Sequence, residues 1–269
     1  MAKNALRRLP SLLVALLFTF ALSMMMTGTV SATTRGGHGH GQSASAHRQK
    51  DVGEHSRARK THTKKKVPTS TDVPSTKLNP IKLAPTGTGP LTGKVILLDP
   101  GHGGKDPGAE EGTDREKDIN LAVGLKLAEL LRAKGATVLM TRADDTFIPL
   151  EDRAGMSNKF KPDIFVSIHT NSNNKRNIHG VETYYWSNNS IPLAKELYDA
   201  LVAGLNEQAN WVEKDNLKVL DLNTRPASLA EVGYLSYAQT RPLLMQDAYR
   251  QKIAAALCTG IENYFKSHP

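Results

Sequence analysis

Three stretches carry side chains out of keeping with the apolar runs around them. Val95–Leu98 runs into Asp99-Pro100-Gly101-His102-Gly103-Gly104, and Ile164–Ile168 ends in His169-Thr170-Asn171. Glu231 lies among Leu229, Ala230 and Val232. Two imidazoles and one carboxylate, with a fourth position left to water, are the donor set of a catalytic zinc centre. A carboxylate among aliphatic neighbours is desolvated unless a metal, a donor or a proton partners it. Its raised pKa then suits a general base near neutrality. The acids available as third ligand between the histidines are Glu110, Glu111, Asp114, Glu116 and Asp118. Spacing does not choose among them, although Glu116 opens a helix, where a loop can turn it inward. A histidine after a strand is by itself more often a hydrogen-bonded rim residue. His102 and His169 gain weight because only four histidines follow residue 92 and because Glu231 accompanies them. Gly101, Gly103 and Gly104 resemble a phosphate-cradling turn, but the segment lacks the spacing and the Lys-Ser/Thr of a P-loop.

These side chains need a scaffold that brings strand ends to one edge. Lys117–Lys134 has helical periodicity in Ile119, Val123, Leu127, Leu130 and Leu131, with Gly135 as a stop. The pattern predicts further strands at Thr137–Met140, Ile164–Ile168, Val181–Trp186, Lys218–Leu220 and Ser228–Val232. It predicts helices near Leu150–Lys159, Ile191–Asn206 and Ala248–Phe265. Apolar, non-alternating strands between helices indicate an α/β fold, a mostly parallel sheet of about six strands with helices on both faces. Ligands of such sheets bind at the carboxyl ends of the strands, which is where His102 and His169 fall.

The charge is distributed unevenly over the 269 residues. Residues 1–32 hold three Lys/Arg and no acid, residues 33–92 hold eleven against three, and residues 93–269 hold twenty-one against twenty-three. The net charge of +9 therefore belongs to the N-terminal third. A nucleic-acid footprint would sit on the folded face, so no nucleic-acid partner is expected. Lys3, Arg7 and Arg8, the apolar run Leu12–Met26 and the small residues of Val30-Ser31-Ala32 read as an export signal over residues 1–32. If uncleaved, the segment would act as a membrane anchor. Either way the remainder belongs outside the cytoplasmic membrane, in the periplasm or cell wall, or free outside the cell. Residues 33–92, with Lys64-Lys65-Lys66, five histidines and prolines at 68, 74, 80, 85 and 90, read as a disordered basic linker. Its cations suit electrostatic association with anionic envelope polymers. The lone cysteine, Cys258, falls in the apolar pattern of the last helix and reads as a buried, inert thiol.

From Lys94 to Phe265 the chain resembles the zinc-dependent N-acetylmuramoyl-L-alanine amidases, the type 3 amidase catalytic domain of bacterial cell-wall hydrolases. The resemblance rests on ordered motifs: Leu98–Gly104, Glu116-Lys117-Asp118-Ile119-Asn120-Leu121, Thr141-Arg142 with Asp145, Arg153, Ser167–Asn171, Gly180-Val181-Glu182-Thr183-Tyr184 and Glu231-Val232-Gly233-Tyr234. It implies a catalytic domain over residues 93–269, with His102, Glu116 and His169 as ligands of one Zn2+ and Glu231 as the catalytic carboxylate. Asn171 would orient substrate or a ligand, Arg142, Asp145 and Arg153 would hold loops and helix starts, and His179 would be a surface loop residue. The implied substrate is peptidoglycan, cut between N-acetylmuramic acid and L-alanine by a monomer. A non-catalytic wall-binding module and a different zinc peptidase on a similar sheet are the alternatives.

The chain departs from the family pattern at three places. Asn210-Trp211-Val212-Glu213 replaces an Arg-Gly-Val-Lys-like segment, Ser236-Tyr237 replaces Ser-Asn, and Arg225-Pro226 replaces Met-Pro or Val-Pro. Some relatives carry a long insertion after the fourth strand whose helix plugs the cleft. Here Ile191–Asn206, with Leu193, Leu197, Leu201 and Leu205 in one stripe, fills most of that interval as a scaffold helix. An open cleft is therefore expected.

Overall fold

The computed structural model describes residues 79–269; the expected export signal and linker residues 33–78 lie outside them. In chain order the elements are β1 (Ile81–Leu83), β2 (Val95–Pro100), the hairpin β3 (Glu110–Glu111) and β4 (Asp114–Arg115), α1 (Glu116–Ala133), β5 (Thr137–Met140), α2 (Leu150–Phe160), β6 (Ile164–Asn171), β7 (Val181–Tyr185), α3 (Ile191–Leu205), β8 (Ala209–Lys214), α4 (Lys218–Asp221), β9 (Ala227–Tyr234), α5 (Arg241–Leu244) and α6 (Asp247–Ser267). The main sheet has seven strands in the order β1-β5-β2-β6-β9-β7-β8. Four of its six pairings are parallel; β1 with β5 and β7 with β9 are antiparallel.

The mostly parallel α/β sheet is as expected, and the positions of its strands differ from expectation at three points. Lys218–Asp221 is a helical turn, not a strand. Val219 and Leu220 are both buried in one cluster, and neighbouring residues on a strand would face opposite sides. Ala209–Lys214 is an edge strand whose half-exposed residues leave little apolar signal. Ile81–Leu83 is a further edge strand inside the expected linker, so the boundary at residue 92 is too late. Pro80 and Pro85 flank it and read as breakers, yet an edge position tolerates them. Leu91 is fully buried, its N–H donates to the Lys134 carbonyl at 3.0 Å, and Arg132 Nε donates to the Ala84 carbonyl at 2.6 Å.

Helices cover both sheet faces, but unequally. On one face α1, α3 and α6 pack through the larger core, and the expected stripes Ile119-Val123-Leu127-Leu131 and Leu193-Leu197-Leu201-Leu205 are buried there. On the other face α2 and α4 meet a small cluster that takes Leu97, Phe165, Ala227 and Leu229. Strand alternation puts Asp99, Ser167, His169 and Glu231 next along that same face, where apolar cover stops. The polar upper half of this second face is where the site forms. Between β7 and α4 the chain builds only a 3-10 turn, α3 and β8, so the described residues contain no occluding helix in that interval.

Candidate active site

The loop leaving β2 is shaped around the two histidines. Gly101 lies so close to the His169 imidazole that an added Cβ would stand 2.2 Å from its Nε2. Gly108, at φ +67°, would put a Cβ 2.5 Å from Glu116 Oε2 and 2.7 Å from His102 Cδ2. Close packing onto these side chains explains Gly101 and Gly108, while Gly103 and Gly104 take positive φ against Thr146 and Phe147. His102 itself sits at φ +61°, a left-handed conformation that L-residues adopt at a cost of about 1–2 kcal/mol and that concentrates at functional sites. Its Nδ1 bonds Asp106 Oδ2 at 2.9 Å, and its Nε2 is 3.2 Å from Glu116 Oε2.

Glu116 is the acid brought inward, and the other four acids between the histidines are not in the cluster. As the first residue of α1 it sits at the positive end of the helix dipole. Its Oε2 accepts from the Ala109 N–H at 2.9 Å. Its Oε1 accepts from the Thr170 N–H at 3.1 Å and from Asn120 Nδ2 at 3.2 Å, and lies 2.9 Å from His169 Nδ1. Burial would raise its pKa, but the bonds to His102 and His169 outweigh burial and hold the carboxyl far below the usual range. Burial likewise opposes protonation of His102, yet Glu116 and Asp106 outweigh it and raise that pKa. One ligand atom from each of His102, Glu116 and His169 lies within 4.8 Å of the others, the only such cluster among the described residues.

Two buried arginines brace this loop from behind, as expected for loop-holding residues. Arg142 donates to the carbonyls of Pro100, Gly101, Lys117 and Asp144 at 2.8–2.9 Å. Arg153 donates to the carbonyls of Pro100, His102 and Ile148 and to Asp99 Oδ1. Asp145 accepts from the Gly104 N–H and from Lys117 Nζ, each at 2.7 Å.

Glu231 pairs in register with His169 on one side and with Glu182 on the other. Its Oε2 is shut off from solvent and has no hydrogen-bond partner. Burial, and then the charges of Glu116 and Glu182, push its pKa well above the ordinary carboxylate value. Glu182 is fully buried but saturated with donors: Asn171 Nδ2 at 3.0 Å, Asn210 Nδ2 at 3.0 Å, the Tyr184 hydroxyl at 2.8 Å and the Tyr234 hydroxyl. Asn171 is thus committed to Glu182. His179 is not in the cluster; its ring stacks on Tyr237 with centroids 4.4 Å apart. A cavity of about 270 Å³ opens beside the histidines, lined by His102, Asp106, Phe147, Ile148, Leu150 and His169 together with Arg153.

Sequence reasoning did not single out Asp106, and it gave no role to Asn120 or Glu182, which stand in the motifs. Asp106 and Asn120 each stand four residues after a ligand, one turn on for Asn120. Glu182 sits in the apolar strand Val181–Tyr185, the same signal that exposed Glu231.

Two imidazoles and a carboxylate at one point, beside an orphaned carboxylate oxygen, form a donor set that fits a zinc ion. Comparisons with known proteins identify the family. A model of the N-acetylmuramoyl-L-alanine amidase family matches residues 96–263. The chain is 36% identical to the uncharacterised Bacillus subtilis protein YqiI over 65% of this chain and 87% of that one. It is also 36% identical to the probable cell wall amidase LytH of Staphylococcus aureus, over 66% of this chain but only 60% of LytH. The solved catalytic domain of CwlV, an N-acetylmuramoyl-L-alanine amidase of Bacillus (Paenibacillus) polymyxa var. colistinus, superposes with a TM-score of 0.63 at 34% identity, covering 64% of this chain and 98% of that domain. The CwlD amidase from Clostridioides difficile, solved with the GerS lipoprotein, gives 0.62 at 33% identity, covering 65% and 99%. With its sheet, its His-Glu-His cluster and these likenesses in agreement, the chain belongs to the N-acetylmuramoyl-L-alanine amidase family of hydrolases.

Proposed function

We propose that this protein is an exported, monomeric peptidoglycan amidase. It cuts the bond between the lactyl carbonyl of N-acetylmuramic acid and L-alanine, with one Zn2+ held by His102, Glu116 and His169. The observation that carries the reading is the convergence of those three ligands within 4.8 Å, one strand away from the unpartnered Oε2 of Glu231. When bound, zinc supplies Lewis acidity to a carbonyl oxygen and lowers the pKa of water toward about 7.

The chain's own residues supply the remaining work. Asp106 on Nδ1 of His102 fixes the ring and leaves its Nε2 facing Glu116. Asn120 and the Thr170 N–H hold Glu116 against rotation. The Glu231 carboxylate takes a proton from the attacking water and delivers it to the departing L-alanine amine as the C–N bond breaks. The Glu182 network holds Asn171 and the neighbouring strand in place beside it. Peptidoglycan is the partner, and the basic linker tethers the enzyme to anionic envelope polymers. Among the described residues no helix is long and apolar enough to cross a membrane.

Glu231→Gln tests the assignment, because it keeps shape and removes the base. Zinc content should be retained while turnover on peptidoglycan falls by on the order of 10²–10⁴-fold. Chelation should abolish activity in the parent and added zinc restore it. Full activity in a metal-free parent would overturn the proposal.

A further inference from the structure

The catalytic row continues beyond the acids. Paired residues cross four adjacent strands at one register: His169 on β6, Glu231 on β9, Glu182 on β7 and Trp211 on β8. At about 4.8 Å per strand, Trp211 stands roughly 10 Å from Glu231. A bulge between Val181 and Glu182 makes Asn210 the extra residue of β8, and its Nδ2 donates to Glu182 Oε1 and to the His179 carbonyl.

Trp211 is 43% exposed, yet its ring is tied down. Its Nε1–H donates to the Tyr184 hydroxyl at 3.2 Å, which donates to Glu182 Oε2, the oxygen that also accepts from Asn171. The polar edge of the indole is therefore committed inward, and ring surface is what it offers to solvent. Nothing in the fold requires an aromatic there, since Trp211 belongs to neither core cluster. A large side chain that is exposed, oriented in advance and level with the catalytic carboxylate has the properties of a binding platform.

We infer that Trp211 is a saccharide-stacking residue that carries the glycan strand on the Glu231 side of the cleft. The inference rests on the amidase reading and extends it to the part of the substrate beyond the scissile bond. A pyranose offers an apolar C–H face to an aromatic ring and an outer rim of hydroxyl and N-acetyl N–H donors. Glu213, exposed two residues further along β8 and paired with Tyr184, can accept from such donors. The same acid repels the carboxylates of a stem peptide, so charge selects the neutral sugar as occupant.

The chain has two tryptophans, Trp186 and Trp211, so W186F leaves Trp211 as the sole indole fluorophore. Titrating this full-length variant with chitotetraose, an uncharged glycan of N-acetylglucosamine, should change its emission saturably, and free stem tetrapeptide should not. In the parent background, W211A should weaken glycan binding and raise the KM for wall substrate by roughly three- to tenfold, with a smaller loss in kcat. W211F should recover most of the binding. Equal glycan affinity in W211A, or quenching by the tetrapeptide and not by glycan, overturns the inference. A parent that binds glycan through Trp211 but releases no L-alanine amino termini would instead overturn the amidase reading.

Discussion

Replacing Arg153 with leucine removes the brace behind the metal loop. The guanidinium side chain is 2% exposed and touches Asp99 Oδ1 at 2.8 Å, the Pro100 carbonyl at 2.9 Å, the His102 carbonyl at 2.7 Å and the Ile148 carbonyl at 2.8 Å. Leucine leaves Asp99 a fully buried carboxylate bonded only by Thr141 and Ser167. Breaking a buried pair by removing one partner costs about 3–5 kcal/mol. Against a native stability of about 5–15 kcal/mol a folded population remains. With a slope of about 2 kcal/mol per molar, the urea midpoint at pH 7 should fall by roughly 1.5–2.5 M. Burial pushes the Asp99 carboxyl up, and Arg153, Thr141 and Ser167 together hold it below its ordinary value. The stabilisation is therefore complete above the unfolded pKa of about 3.9 and is lost as pH falls through the lower folded value. In the variant burial wins, Asp99 takes up its proton at higher pH, and the gap to the parent should narrow as pH is lowered from 7 toward about 5. Because Arg153 also fixes the His102 carbonyl, zinc affinity should drop by about 10–100-fold. A midpoint shift under about 0.5 M, or a gap that does not narrow, would refute the reasoning.

Other parts of the structure make separate predictions. Gly101→Ala should leave the fold intact but abolish zinc binding, because its Cβ would stand 2.2 Å from His169 Nε2; zinc titration and circular dichroism separate the two effects. A truncation starting at residue 79 should melt like the parent domain, whereas one starting at Gly93 loses β1 and buried Leu91 and should be destabilised by at least about 2–5 kcal/mol in urea. Cys258, 2% exposed and with its thiol pushed up to about 11 chiefly by burial, should resist iodoacetamide at pH 8 in the native protein and react fully in denaturant.

Much of this site was legible because buried polar residues are conspicuous in apolar strands. His102, His169 and Glu231 stand out against Val95–Leu98, Ile164–Ile168 and Leu229–Val232, and the parallel α/β pattern predicts their shared edge. The choice of Glu116 came from family resemblance, since five acids compete at similar spacing and only tertiary contacts to Ala109, Thr170 and Asn120 distinguish it. The edge strands β1 and β8 escaped notice because an edge needs little apolar surface and tolerates prolines. The turn at Lys218–Asp221 is not distinguishable from a strand in the sequence because a short apolar pair carries no period.

The most direct test is the chemistry of the bond that is cut. Purified peptidoglycan digested by the zinc-loaded full-length protein should yield new amino termini that are L-alanine, with intact glycan strands and intact stem peptides by mass spectrometry. Release of free terminal amino acids, new reducing sugars or no product at all would contradict the account.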